Sequence, residues 1–266
     1  QIGNPSIIAH NTNITTIADF RMADIAASGQ GAPLVPAFHQ AAFQSKTDFR
    51  AIINIGGIAN ITLLNPDNEA QLDQTCKNSD TVKGYDLGPG NTLMDQWIQH
   101  NQNKAFDMNG DWARTGKVIP TLLSKLLADD FIQKTPPKSS GREYFNLPWL
   151  KHHIAPSSAA KDIQRTLAEF TAQVIANTLK LETHNQACDV FLCGGGVRNI
   201  FLQERINLLL PDYSISTTCT LGTDAQLVEA TAFAWLAKQT LNQLPGNIKT
   251  VTGANHQKIL GGIYLA

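Results

Sequence analysis

Asp86 is the residue of this chain whose type and setting best suit the movement of a proton. It stands in GYDLGPGN (84–91), where a short apolar approach, Val82 to Asp86, reads as a strand and Gly88-Pro89-Gly90 forces a sharp turn ahead of a helix that Asn91 could begin. Ligands of α/β proteins gather beyond strand ends. A carboxylate held there can take a proton from a hydroxyl or a water. The competing reading is that Asp86 caps the following turn or helix, which aspartate does well. Residue types alone leave both readings open.

Two glycine stretches could cradle a polar or anionic ligand. In NIGGIANIT (54–62), Gly56 and Gly57 sit between two β-branched arms, with Asn60 just beyond. Glycine leaves backbone N–H groups unobstructed, and such groups can hold phosphate oxygens; a plain hairpin turn is the alternative. In FLCGGGVRN (191–199), Gly194, Gly195 and Gly196 follow an apolar strand and lead through Asn199 into a helix. That suits a ligand lying against backbone near a helix N-terminus. The GxGxxG spacing of a dinucleotide fingerprint is absent, and close strand–helix packing would use glycine too.

Three further groups qualify. Asp19, Arg21 and Asp24 surround an apolar strand end, where Arg21 could clamp a carboxylate or make a solvated ion pair. Lys138, Arg142, Glu143 and Asn146 crowd a Gly-containing loop. Glu229 stands alone in the apolar run LVEATAFAWLA (227–237), where a buried carboxylate would need a partner. His39, after Phe38, reads as a packed or hydrogen-bonded histidine rather than a ligand.

The elements that must position these groups follow from periodicity. Pro5–His10 reads as a strand or short helix, and Thr15–Asp19 as a strand. Gly/Pro-rich sequence then runs into a short apolar helix before Gln44. Ala51–Ile55 and Ile58–Leu64 form the clearest hairpin, apolar on both faces and therefore expected inside a sheet. Residues 66–79 read as a polar loop or sheet edge. Helices are expected over Asn91–Asn101, in the Leu-rich stretch Pro120–Phe131, over Ser158–Leu181 with Ser158 as N-cap, from about Ile200 to Leu210, and over Asp224–Leu241. The Pro/Ser/Gly-dense stretch 134–150 reads as loop, and the C-terminal residues as a short strand or tail. Mixed strands and helices of this kind predict an α/β fold with helices covering a mostly buried sheet. A composition shift near Gln44–Phe49 suggests a boundary between an N-terminal piece and a larger C-terminal unit.

Composition narrows the function classes. Of 266 residues, 42% are hydrophobic and 16% charged, enough for a substantial core. The formal net charge of -1, from 21 basic and 22 acidic residues, gives no basic surplus for nucleic acid or an anionic membrane. No apolar run approaches the ~20 residues a bilayer needs, and no signal peptide is visible. Cys76, Cys188, Cys193 and Cys219 form no CxxC pair or zinc spacing and read as free thiols of a reducing cytoplasm.

Taken together, seven stretches resemble one family, the anhydro-N-acetylmuramic acid kinases of bacterial peptidoglycan recycling. They are TIADFRMADIAASGQGAPLVPAFH, INIGGIANIT, GYDLGPGNTLMDQWI, SSGREYFNLPWL, FLCGGGVRN, VEATAFAWLA and TGANHQKILGGIYLA, in family order across nearly the whole chain. The resemblance implies a sugar-kinase/actin/Hsp70 fold, two RNase-H-like lobes with mixed central sheets around an ATP cleft. Residues 1–45 would end the first, sugar-side lobe, and 46–266 would form the second, nucleotide-binding lobe. It implies ATP and Mg²⁺ as cofactors, a homodimer, and the conversion of 1,6-anhydro-N-acetylmuramic acid, water and ATP to N-acetylmuramic acid 6-phosphate and ADP. Asp86 would be the base. Gly56, Gly57, Asn60, Gly88, Gly90, Gly194, Gly195, Gly196 and Asn199 would contact ATP, and Asp19, Arg21 and Glu229 the sugar.

The chain departs from the family pattern at Leu87, where Thr is usual, so that a phosphate or metal contact would be lost or tuned, and more mildly at Ser28, where Gly is usual. The family's first phosphate loop does not precede Asp19, and the chain starts with Gln, as a fragment would. Two other readings therefore stand beside the kinase: a related kinase acting on another sugar, and a nucleotide- or sugar-binding module without turnover.

Overall fold

The computed structural model describes residues 3–67 and 82–266. Most of the expected 66–79 loop, with Cys76, lies outside the described residues. Helices are α1 (Pro5–Thr12), α2 (Met22–Ala26), α3 (Val35–Phe43), α4 (Thr92–Gln102), α5 (Asp111–Arg114), α6 (Pro120–Leu127), α7 (Asp130–Gln133), α8 (Leu147–His153), α9 (Ala160–Glu182), α10 (Ile200–Leu209), α11 (Val228–Leu241) and α12 (Lys249–Thr252). Strands are β1 (Thr16–Ala18), β2 (Arg50–Ile55), β3 (Ile58–Leu64), β4 (Val82–Pro89), β5 (Asp189–Cys193), β6 (Ser214–Thr217) and β7 (Gly262–Tyr264).

Five strands form one sheet in the order β4-β3-β2-β5-β6. The hairpin β2–β3 and the pair β3–β4 are antiparallel, whereas β5 lies parallel to β2 and β6 parallel to β5. This mixed sheet has the strand order of an RNase-H-like lobe. Its central strands read apolar on both faces because both are covered. Ala51, Ile53 and Ile55 face a core with Leu167, Phe170 and Val174 of α9. Ile52 alternates to the other face, against Phe38 and Phe43 of α3 and Val228 and Ala232 of α11. Side chains alternate along a strand, so one hairpin arm feeds two cores.

Several element ends differ from expectation. The long helix begins at Ala160, capped by Ala159 without a side-chain bond. Ser158 instead closes a turn, its N–H donating to the Ala155 carbonyl. The following first-turn residue Asp162 bonds the Lys117 N–H through its side chain. Residues 224–227 precede α11 as a turn, tied by the Gln226 N–H to the Asp224 carboxylate at 2.8 Å. The stretch read as loop contains α8, whose first turn Asn146 caps by accepting from the Trp149 N–H at 2.9 Å. Strand β6 adds a short, half-exposed edge that its polar SIST sequence did not announce.

The chain's two ends meet. β1 pairs antiparallel with β7, Thr16 opposite Tyr264 and Ala18 opposite Gly262. Nearby, the fully buried Asp24 accepts from the Gly31 N–H at 2.8 Å, Asn247 Nδ2 at 2.6 Å and Thr252 Oγ1 at 2.7 Å. Three donors satisfy a carboxylate that burial alone would penalise. His39 is also buried, with Nδ1 2.8 Å from Thr62 Oγ1, and burial holds its pKa down to about 3. It is the packed, hydrogen-bonded histidine that its apolar context suggested. Among the described residues no helix is long and apolar enough to cross a membrane.

Candidate functional site

Asp86 lies inside β4 rather than at its end, since the strand continues to Pro89. The register explains the continuation. Asn60 faces Asp86 but Ala59 faces Gly88, so Leu87 is an extra residue at a β-bulge. Leu87 is fully buried in the α9-side core. Its side chain therefore serves packing, and the expected loss or tuning of a cleft contact at this position does not follow from where it points. Asn54 faces Asn60, which faces Asp86. Directly opposed residues share a face, so three polar side chains form a row across β2, β3 and β4, and Asn54 is a member that sequence reading missed.

Asp86 is not a helix cap. The N-cap of α4 is Asn91, whose side chain makes no capping bond to the helix. The Asp86 carboxylate is instead held by the loop between α7 and α8. Ser139 Oγ donates to Oδ2 at 2.9 Å, and the Ser140 N–H donates to the same oxygen at 2.9 Å. The Asp86 N–H donates to the Lys138 carbonyl at 3.1 Å. Asp86 is only 8% exposed, and burial raises its pKa above the usual aspartate value. The Ser140 and Ser139 donors and the charges of Arg21 and Lys138 pull the other way without cancelling that rise.

The glycine hairpin is bolted to α4. Gly90 and Thr92 donate their N–H groups to the Gly57 carbonyl at 2.9 and 3.1 Å, and Asn91 donates to the Gly56 carbonyl at 2.8 Å. Asn91 Nδ2 reaches the Ile55 carbonyl at 3.1 Å. The Gly90 N–H is thus committed within the protein, so a contact of Gly90 with ATP would have to use another atom. A Cβ on Gly90 would strike the Gly56 carbonyl, so this glycine permits close approach. Gly88, at φ +149°, faces Ile132 and Val174 and is likewise a packing position. At the hairpin tip, a Cβ on Gly57 would come within 2.9 Å of Arg142 Nε, so the Arg142 guanidinium rests on the tip.

The triple glycine divides by role. A Cβ on Gly194 would meet Asn54 and the Ile55 carbonyl, and one on Gly196 would meet the Ile55 side chain, so both serve close packing on β2. Gly195 would meet only Asn91 Nδ2 at 3.9 Å and lines an open cavity of about 220 Å³. Asn199 lines the same cavity and caps α10, accepting from the Leu202 N–H at 3.0 Å. Asn91, Met94, Asp95, Asp107 and Gln226 complete much of the wall, and sequence reading missed Asp95, Asp107 and Gln226 there. Burial, with the Asp107 charge adding to it and Arg142 opposing, lifts Asp95 to about 6.

Of the remaining candidates, Asp19, Arg21 and Glu229 are exposed. Arg21 Nη1 donates to the Gly31 carbonyl at 2.6 Å while its charge reaches Asp86. It has no ion-pair partner among the described residues, so the solvated-pair alternative does not apply. Asp19 is exposed with φ +63° at the end of β1. Asp24 belongs to the buried tie described above, not to an open site. Glu229 is exposed in the first turn of α11 and needs no buried partner, contrary to its apolar context. Its charge reaches Cys193 at the end of β5, whose thiol is pushed up to about 12, by burial first and then by Glu229.

Comparison with known proteins agrees with the sequence motifs. The profile of the anhydro-N-acetylmuramic acid kinase family matches residues 1–266. The anhydro-N-acetylmuramic acid kinase of Actinobacillus pleuropneumoniae serotype 7 (strain AP76) is 48% identical over 266 residues, covering 99% of this chain and 69% of that protein. Its counterpart from Pseudomonas syringae pv. tomato (strain ATCC BAA-871 / DC3000) is 47% identical over 268 residues, covering 100% of this chain and 70% of the relative. Among solved structures, xylulose kinase from Rhodospirillum rubrum aligns with a TM-score of 0.43 at 11% identity, over 84% of this chain and 44% of that one; a likeness at that distance says nothing of this chain's chemistry. With a family profile matched from end to end and relatives sharing nearly half their residues, this chain belongs to the anhydro-N-acetylmuramic acid kinase family.

Proposed function

We propose that the Asp86 carboxylate is the general base with which this kinase turns 1,6-anhydro-N-acetylmuramic acid, water and ATP into N-acetylmuramic acid 6-phosphate and ADP. The observation that carries the assignment is the carboxylate itself. One oxygen is tied to Ser139 and Ser140, and the other, Oδ1, has no hydrogen-bond partner among the described residues. Oδ1 takes a proton from water. The resulting hydroxide bonds to the anomeric carbon, the bond from that carbon to the 6-oxygen breaks, and its electron pair stays on oxygen. That oxygen attacks the γ-phosphorus and ADP leaves. A water must be deprotonated where it is held, so a fixed base supplies orientation as well as basicity. Burial lifts the Asp86 pKa toward the working range of a base, which strengthens the proton transfer.

The other assignments follow the same geometry. The adenosine moiety of ATP would occupy the cavity beside Gly195 and Asn199, and the phosphates would extend toward Gly56, Gly57 and Asn60. Arg21, Asp19 and Glu229 would contact the sugar. Mg²⁺ would arrive on the ATP phosphates and offset charge there. Among the described residues there is no group of three or more His, Cys, Asp or Glu side chains that could hold a metal. A cytoplasmic homodimer belongs to the same reading.

The test is ADP release from Mg·ATP with and without the anhydrosugar, comparing the chain with Asp86→Asn. The expected outcome is sugar-dependent turnover that drops by about 10²-fold or more in the variant, the scale of a lost general base. Equal turnover by both proteins would sink the assignment of Asp86. Tight binding of both ligands without turnover would favour the binding-module reading.

A further inference from the structure

The loop that runs from α7 to α8 meets Asp86 at three points. The Lys138 carbonyl accepts the Asp86 N–H at 3.1 Å, while Ser139 Oγ and the Ser140 N–H both donate to Oδ2 at 2.9 Å. The loop is itself anchored on both sides of this contact. Lys138 Nζ donates to the Phe131 and Ile132 carbonyls at 3.1 and 3.0 Å and lies 5.0 Å from the Phe131 ring centroid. Downstream, the Gly141 carbonyl accepts the N–H groups of Tyr144 and Phe145, and Phe145 is fully buried.

A carboxylate with two donors on one oxygen is fixed about its last torsion, because rotation would abandon both bonds. The torsion of an aspartate carboxyl is otherwise broad. We infer that Ser139, together with the Ser140 N–H, is the positioning element of the reaction: the pair occupies Oδ2 and thereby presents Oδ1 to the water being activated. The inference rests on Asp86 being the base.

The chemistry needs such a hold for two reasons. A base that swings loses the near-attack geometry that makes a bound water reactive. Donors on the charged form also lower the proton affinity of the group, so they set how far burial can raise it. The charged groups facing Asp86 are Arg21, at the start of α2, and Lys138, in the loop itself, and both favour the ionised carboxylate. Ser139 is the one side-chain donor in the set that can be removed without altering net charge.

Aspartate carboxyl-carbon NMR reads the clamp directly, with the Asp86→Asn variant identifying the Asp86 resonance. In Ser139→Ala the Asp86 titration midpoint should rise by about one pH unit, the scale of one lost charge-assisted bond. Ser139→Thr, which keeps the hydroxyl, should restore it. An unshifted midpoint in Ser139→Ala overturns the inference whatever the kinetics show. In the kinase assay, the acid limb of kcat/KM should move upward by the same amount in Ser139→Ala, and kcat should fall with little change in the KM for ATP. If Asp86→Asn keeps full turnover, the base assignment fails and the clamp holds a carboxylate that catalysis does not use. The NMR arm and the Asp86→Asn arm therefore fail separately.

Discussion

At the scale of single residues, chemical type was readable from the chain but partnership was not. Asp86 stood out because an aspartate beside a Gly-Pro-Gly turn at a strand end could serve as a base as readily as a cap. The residues that hold it, Ser139 and Ser140, are 53 and 54 positions away and follow no spacing that would link them. The cavity wall was equally illegible, because Asp95, Asp107 and Gln226 come from separate segments joined only by the fold. Glycine roles could not be told apart beforehand, since a run of three looks uniform in sequence. The structure separates them, and a pair of substitutions tests the separation. Gly196→Ala would drive a methyl into Ile55, so it should cost about 2 kcal/mol in denaturant titrations, as overpacking does. Gly195→Ala meets open space and should leave the unfolding midpoint nearly unchanged while weakening ATP binding in a direct titration. Equal stability losses in the two variants would refute the division.

Elements were legible where periodicity was strong. The β2–β3 hairpin declared itself through apolar arms around Gly56-Gly57, and α9 through Ile163, Leu167, Phe170 and Val174. Helix α8 was missed because proline-rich surroundings masked a readable signal, Asn146 with a proline two residues on, which is an N-cap followed by an early-turn proline. What no pattern gave was how elements bind each other by charge. Glu169 on α9 is 4% exposed and bonds Arg205 Nε on α10 at 2.8 Å and Arg165 Nη1 at 3.0 Å. Burial raises its pKa, but the bonds to Arg205 and Gln173 and the two arginine charges outweigh this and leave it lowered. A lowered folded pKa means stability that is present above the unfolded value and lost as pH falls through the folded one. Glu169→Ala would strand two part-buried guanidinium groups and should cost about 3 kcal/mol, read by chemical denaturation at neutral pH. A loss below about 1 kcal/mol would mean that the α9–α10 contact relies on packing alone.

At the scale of the whole molecule, composition indicated a substantial core, the alternation of strands and helices an α/β fold, and the structure shows how the N- and C-terminal stretches are joined. Gln30 donates to the Thr252 carbonyl and Asn255 to the Ala27 carbonyl, both at 2.8 Å, beside the buried Asp24. Sequence reading grouped Asp24 with Asp19 and Arg21 around an apolar strand end. Its three donors come from residues 31, 247 and 252, so its role was visible only after folding. Asp24→Ala should lower stability by about 2 kcal/mol, since it leaves buried donors unsatisfied. Hydrogen exchange should then quicken in residues 22–31 and 247–256 together. Faster exchange in one segment alone would show that the two do not open as a unit.

The bulge at Leu87 has a consequence best put in terms of phase. Along β4, Val82 belongs to the core on the α3 side and Tyr85 and Leu87 to the core on the α9 side, which puts Asp86 in step with Val82. Past Leu87 the alternation slips by one, so Gly88 also turns toward α9. The direction of the Asp86 carboxylate is therefore a matter of parity counted from the start of the strand. Shortening the strand by one residue ahead of Asp86 would turn the carboxylate toward α9 and bring an apolar neighbour onto the polar row. Shortening it by two would keep the direction and change only the length.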